Sequence, residues 1–230
     1  MKILVVETAT ATCSVALLED NHVLYEENTE NGFTHSENLL PMIKEAFDRT
    51  GLTLSQIDLY AASIGPGSFT GIRIGIATLK AFIDVANKPS IGISSLEGLR
   101  YNVPKQHIVC SILDAKNENV YYALYEENSP IIEPQFFSVT AMIEALKEKK
   151  VQDITFVGDG AILYQQELKQ AFPNAHFSEE NKTRASSIGK AAYDHMKEKR
   201  DLAPLTPLYL RKSQAERVLE EGKENASHHS

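Results

Sequence analysis

The order of elements constrains this chain most, because it runs through the sequence twice. MKILVVETATATCSVALLEDNHVLYEENTE alternates β-branched and apolar runs with turn clusters at Thr8 to Thr12 and at Glu19-Asp20-Asn21. That alternation predicts a three-stranded meander. HSENLLPMIKEAFDRTG follows as a helix: Thr34 and Glu37 form a capping box, Leu40, Ile43 and Phe47 form one stripe, and Gly51 supplies the stop. Pro41 inside it predicts a bend or a delayed start. IDLYAASI reads as a buried strand, and TGIRIGIATLKAFIDVA as a second helix. From His107 the order begins again, with HIVCSILDA and NVYYALYEE as a hairpin across Lys116-Asn117-Glu118, and a third strand over Pro130 to Ser138. TAMIEALKEKK then reads as a helix, DITFVGDG as a strand into a turn, and AILYQQELKQAF and SSIGKAAYDHMKEKR as one helix each. Two such mixed α/β halves predict an actin-like, sugar-kinase-like fold with a cleft between them. Subdomains over 1–104 and 105–211 are expected, with Ser95 to Gln106 as the connection and 212–230 as a charge-rich, solvated tail.

The chain has 230 residues, 43% of them apolar, enough for one large core or two small ones. With 31 acidic against 23 basic residues, the net charge of −8 argues against a surface that itself neutralises many nucleic-acid phosphates. A partner is then expected to hold any RNA. Cys13 and Cys110 are too few for a disulfide framework and lack the spacing of a zinc knuckle. With no leader-like opening and no apolar run of about 20 residues, a cytoplasmic protein without membrane contact is expected.

Between the fourth strand and its helix lies SIGPGSFTGIRIG, Ser63 to Gly75. A strand–loop–helix junction can bind an anion on the free amides of the helix N-terminus, and Gly65, Gly67, Ser68, Thr70 and Gly71 are the candidates. The nucleoside-triphosphatase loop would need a lysine after the glycines, yet none occurs before Lys80; the dinucleotide fingerprint fails because Thr70 stands where its third glycine should be. Equally well, Gly67 allows a tight turn, Ser68 or Thr70 caps the helix, and Phe69 anchors the loop in a core. Both readings stand at this level. In the helix beyond, Ile72, Ile76, Leu79 and Ile83 recur at core spacing, while Ile74, Ala77, Ala81 and Val85 line much of the remainder. Only Arg73, Lys80 and Asp84 are left as a polar stripe. Gly71 and Gly75, one turn apart, would let another helix approach closely, offsetting the roughly 1 kcal/mol that a mid-helix glycine costs; the alternative, a helix wholly inside the core of its own domain, is the one that periodicity alone slightly favours.

GPGSFTGIRIG, VVETAT, HSENLLP, LDAKNENVYYALY and PLYLR together resemble the TsaB family, formerly YeaZ, over Met1 to about Arg211. The resemblance implies an actin-like ATPase (ASKHA, ribonuclease H-like) fold and a subunit that serves synthesis of threonylcarbamoyladenosine at tRNA position 37 without doing the chemistry. It implies that first-half helices pack against TsaD, the catalytic paralogue, which holds metal and transfers the threonylcarbamoyl group from its adenylate. TsaE, an ATPase, is the further partner; the chain alone is expected to form a homodimer through the same surface, and tRNA is met only through the complex. Carried over by position, the partner-facing candidates are Leu39, Leu40, Ile43 and Phe47 on the first helix and Ile72, Arg73, Ile76 and Leu79 on the second. No cofactor is required of this subunit, and a nucleotide at the subunit boundary remains a candidate ligand of the complex.

The residues themselves offer little catalytic machinery. The paralogue's metal pair is HxxxH on the first helix, two ligands on one face; here His35 meets Leu39 at that spacing, so a cap or surface role is expected and no metal site. The strand-ending acid that holds magnesium in many kinases of this fold, and that is usually Asp in the TsaB pattern, is Glu7, whose longer side chain argues against a tight metal contact and leaves a hydrogen-bonding role near the cleft open. Gly158-Asp159-Gly160 reads as an ordinary strand-to-helix turn in preference to a second nucleotide loop. Ser14, Ser68 and Ser111 have no recognisable base. Asp114 and Glu118 read as hairpin-turn acids. A small-molecule kinase or ATPase of the same fold, using Glu7 and the glycine loops, is the rival to the scaffold reading.

Overall fold

A computed structural model describes residues 1–30, 34–105, 108–151, 153–200 and 202–211. The first five strands are β1 (Lys2–Glu7), β2 (Cys13–Glu19), β3 (His22–Thr29), β4 (Leu59–Gly65) and β5 (Ser90–Ser94), and they form one sheet in the order β3-β2-β1-β4-β5. The second sheet takes β6 (Ile108–Asp114), β7 (Asn119–Glu126), β8 (Ser129–Ser138), β9 (Ile154–Val157) and β10 (His176–Phe177) in the corresponding order β8-β7-β6-β9-β10. In each sheet the opening strand pairs antiparallel with the second and parallel with the fourth. This duplicated arrangement is the actin-like ATPase fold that the order of elements predicts. The sequence reading lacks β5 and β10, which are short and carry little periodic signal.

Local signals placed most helices. Helix α1 (His35–Thr50) starts on the Thr34/Glu37 capping box and ends on Gly51 in the left-handed region, φ 67°. Its start is not delayed by Pro41, which sits within the continuous helix. Helix α2 (Phe69–Ala86) starts at Ser68, whose hydroxyl accepts the Gly71 amide. The segment expected to connect the halves is itself structured: Ser95–Arg100 is a buried helix, α3. Arg100, 1% exposed, donates to the carbonyls of Val103, Lys105 and Glu127, which satisfies its charge by hydrogen bonds alone. Helix α4 covers Val139–Glu148; the predicted single helix after Gly158 is broken at Tyr164 into α5 (Asp159–Leu163) and α6 (Gln165–Ala171); α7 covers Ala185–Lys197. The predicted strand start at His107, the Gln106 end of the connection and the 212–230 tail fall outside the described residues.

The last helix of each half crosses to the other. Helices α1 and α2 cover one face of the first sheet, where Leu4, Val6, Leu39, Ile43, Ala46, Ile72, Ile76 and Leu79 share a core. The opposite face is covered by α7, from the end of the chain, through Ala185, Ile188, Ala191 and Ala192 against Ile3, Val5 and Ile91. In the second sheet α4, α5 and α6 take one face, and α3, from the first half, packs Leu96 and Leu99 under Val109, Leu113 and Ala123 on the other. Each half therefore completes a core of the other. Fully burying one aliphatic side chain contributes about 1.5–3 kcal/mol, and a fragment ending at residue 104 would leave the whole α7-facing side of its sheet in water. The isolated 1–104 fragment is expected to bind a hydrophobic dye and to melt without a cooperative transition; sharp two-state unfolding of that fragment in denaturant would contradict the interlock.

Candidate functional site

A cleft of about 770 Å³ opens between the halves. The first half contributes Ala9, Thr10 and Ala11 from the β1–β2 turn, Thr34 and His35 from the start of α1, and Gly67 to Gly71 with Ile74 from the glycine loop and α2. The second contributes Leu113 to Lys116, Tyr121 and Asp159, and Arg211 closes one edge. This is the place where the fold sets a ligand between two loops at the carboxyl ends of strands. Its lining mixes alanine, aliphatic and aromatic side chains with Thr10, Thr34, His35, Ser68 and Thr70 and the ionisable Asp114, Lys116, Asp159 and Arg211.

The glycine loop is seated tightly on the β1–β2 turn. The Ser68 amide donates to the Ala9 carbonyl at 2.7 Å, and the Thr8 hydroxyl donates to the Gly71 carbonyl at 2.8 Å. A methyl at Gly67 would lie 2.1 Å from the Ala9 carbonyl oxygen, and one at Gly71 1.9 Å from that of Thr8. At Gly75 it would lie 2.4 Å from the Thr8 hydroxyl. The glycines thus admit the strand end and its turn, in line with a helix packed in its own core and not with a second helix at Gly71 and Gly75. The loop's amides are largely consumed: Ser68 donates to Ala9, Gly71 to the Ser68 hydroxyl, and Ile72 to the Ser68 carbonyl. Among the described residues, Phe69 and Thr70 are the two first-turn amides without an acceptor. Gly65, φ +107°, is buried behind the loop and does not line the cleft, so it drops out of the anion candidates; Gly67, Ser68, Thr70 and Gly71 do line it. Phe69 is not a core anchor; it stacks on Tyr209, ring centroids 4.5 Å apart at 13°.

Glu7 holds the turn from beneath. Fully buried, it accepts the amides of Ala9 at 2.7 Å and Thr10 at 3.2 Å on Oε1. Burial pushes its carboxyl up from 4.5 to about 7, against the opposing effect of Ser63 and the two amides. Glu7 is not among the residues lining the cleft, and its Oε1 is already taken by two amides, which leaves it poorly placed to hold a magnesium ion there. The hydrogen-bonding role is what the geometry shows. His35 likewise ties α1 to the turn, its Nε2 lying 2.9 Å from the Thr10 carbonyl oxygen, and the residue one turn on, Leu39, is buried in the core. No group of three or more histidine, cysteine or acidic side chains suited to a metal occurs among the described residues.

Across the cleft, Asp114 accepts the Lys116 amide at 2.9 Å and pairs with its ammonium at 2.6 Å, while Lys116, Asn117 and Glu118 all take positive φ in the hairpin turn. Asp159 accepts the Asp114 amide at 2.9 Å, and burial raises its carboxyl above the usual range. These bonds make Gly158-Asp159-Gly160 an ordinary strand-to-helix turn that buttresses a hairpin. Ser14 accepts the Ala185 amide at 2.8 Å and Ser68 caps α2, so neither faces a base.

Of the eight residues carried over as partner-facing, Leu39, Ile43, Ile72, Ile76 and Leu79 are no more than 5% exposed and lie in the chain's own core. Heptad-like spacing on α2 reports that core. Phe47 is half-buried against it, and Arg73 is exposed but donates to the Tyr209 hydroxyl at 2.9 Å. Leu40 remains outward, 55% exposed. The outer face of α2 is formed by Arg73, Ala77, Lys80, Ala81, Asp84 and Val85, the last 79% exposed. Ala77, Ala81 and Val85 were visible in the sequence as apolar residues on the far side of the helix.

The model of the TsaD family, tRNA N6-adenosine threonylcarbamoyltransferase, matches residues 30–219 of this chain. The chain is 28% identical over 226 residues to the tRNA threonylcarbamoyladenosine biosynthesis protein TsaB of Bacillus subtilis, covering 94% of this chain and 96% of that protein. It is 30% identical over 208 residues to TsaB of Buchnera aphidicola, covering 81% and 98%. Among solved structures, YeaZ from Pseudomonas aeruginosa shares the fold with a TM-score of 0.73 at 22% identity, over 91% of this chain and 100% of that one.

Glu7 gives the site a pH signature. Its folded value lies above its ordinary one, so the stability it contributes is full below about pH 4.5 and is lost as pH rises through about 7. Glu7→Gln keeps an oxygen for the two amides and removes the ionisation. The variant should match the parent near pH 4 and exceed it by up to roughly 3 kcal/mol above pH 8, as 1.36 kcal/mol per pH unit implies. Parallel stability profiles across that range in urea melts would show that Glu7 is not the buried titrating group.

Proposed function

Because the chain belongs to the family described by the TsaD model, and within it to the TsaB proteins of tRNA threonylcarbamoyladenosine biosynthesis, we propose that it is a non-catalytic scaffold that docks the catalytic paralogue TsaD through the outer faces of α1 and α2. The observation that carries this reading is the uncovered apolar surface there: Leu40 on α1, and Ala77, Ala81 and Val85 on α2, on two helices that cover the same sheet face. Small side chains at Ala77 and Ala81 let a second helix come close, and Leu40 and Val85 offer anchors beside them. The core residues Ile43, Ile72, Ile76 and Leu79 act behind this face by fixing the two helices on the sheet. Alone, the chain pairs with a second copy through the same surface; with TsaD present the copy is displaced, and TsaE and tRNA join through the complex.

The choice of test residue follows from burial. Glutamate at Ile76 would place a charge in the core and unfold the chain, so its effect on binding would say nothing about the surface. Leu40 and Ala81 are exposed on the monomer, so Leu40→Glu and Ala81→Glu place no charge in its core. At concentrations low enough to keep the chain monomeric, each should leave the melting temperature within a few degrees of the parent, and each should weaken association with TsaD by tenfold or more, about 1.4 kcal/mol, measured by sedimentation; the pair together should abolish tRNA modification in a mixture with TsaD, TsaE and tRNA. Undiminished association by a folded double variant would overturn the docking face.

A further inference from the structure

The last described segment, residues 202–211, has neither helix nor strand, yet it is anchored repeatedly along its length. The Ala203 carbonyl accepts the Gly92 amide of β5 at 2.8 Å, and a methyl at Gly92 would lie 2.7 Å from the Pro204 carbonyl oxygen. Leu205, 4% exposed, enters the core under α1 and α2. The Leu208 amide donates to the Ile64 carbonyl of β4 at 2.7 Å. Tyr209 then stacks on Phe69 and accepts Arg73 Nε at 2.9 Å. All of these anchors are on the first half.

The next two residues are on the second. Leu210 packs against the core that α3 makes with the second sheet, and Arg211 donates to the Ala115 carbonyl at 2.8 Å with its guanidinium 5.3 Å over the Phe136 ring. Phe69 and Ala115 line opposite walls of the cleft, and so the chain steps from one wall to the other between Tyr209 and Arg211. Two residues of fully extended chain reach about 7 Å. The mouth cannot widen without giving up the Tyr209 stack or the Arg211 contacts.

At the back of the cleft the halves are joined by α3 and α7, where His195 pairs with Glu97 at 2.6 Å and the Tyr101 hydroxyl donates to Asp194 at 3.0 Å. A two-lobed fold held only at its back would open and close by hinge motion. From the second attachment at the mouth we infer that residues 202–211 are a clasp that fixes the angle between the halves. Because Tyr209 also holds Arg73, the clasp sets the first turn of α2 and with it one end of that helix's outer face. The clasp stands independently of which partner occupies that face.

Spin labels at Ser36→Cys and Asn117→Cys report the opening, since both sites are exposed, on opposite sides of the cleft, and the native Cys13 and Cys110 are buried. Pulsed dipolar spectroscopy of the full chain should give one narrow distance distribution. Adding Tyr209→Ala with Arg211→Ala should shift it to longer distance and broaden it. Arg211→Ala alone, a change outside both cores, should give a smaller shift in the same direction and serves if the double variant does not fold. Lys182→Ala, which breaks an exposed ion pair to Glu30 on the flank, should leave the distribution narrow. An already broad parent distribution, an unchanged distribution in a folded clasp variant, or equal broadening by Lys182→Ala would each overturn the clasp.

Discussion

The seating of the glycine loop on the β1–β2 turn is the contact on which the rest of the first half depends. Thr8 and Ala9 occupy the space that side chains at Gly67, Gly71 and Gly75 would fill, and the Ala9 carbonyl takes the Ser68 amide. Glu7 ties down the same turn from below and His35 from the side. In this way a strand end, the start of α1 and the first two turns of α2 are fixed against one another at close range. A loop with the outline of a phosphate cradle thereby becomes a packed wall, with its Ser68, Gly71 and Ile72 amides already bonded within the protein and those of Phe69 and Thr70 left over.

The same economy of surface appears between the halves. Helices α3 and α7 exchange sides, so that neither sheet is covered on both faces by its own half of the sequence. The strand order repeats, but the folding unit is the pair. Specific polar contacts lie at this junction: Arg100 finds three carbonyls, and Asp194 accepts from both Tyr101 and Asn128. Such hydrogen bonds add directional constraints to the apolar packing of the halves.

What could be read in advance was local. The Thr34–Glu37 box, the Gly51 stop, the Ser68 cap and the Lys116-Asn117-Glu118 turn each need only neighbours in sequence, and the structure has them all. The repeated order of strands and helices was equally legible, because periodicity reports element type. What was missed depends on contacts distant in the chain. Phe69 meets Tyr209 across 140 positions, and nothing around either residue marks the stack. The clasp has no periodicity, and its only sequence trace is PLYLR. Helix α2 shows the limit most clearly, since apolar residues around its circumference do not say which side faces the sheet. The structure assigns Ile72, Ile76 and Leu79 to the core and Ala77, Ala81 and Val85 to the outside.

A scaffold and a kinase of this fold differ in whether the cleft still takes a nucleoside triphosphate. The packed loop and the buried Glu7 argue for a cleft that does not. Calorimetric titration of magnesium-ATP into the isolated protein tests this directly, alongside an assay for phosphate release. The geometry predicts no saturable heat and no turnover. Saturable binding accompanied by ATP hydrolysis would show that the glycine loop still works as a phosphate site.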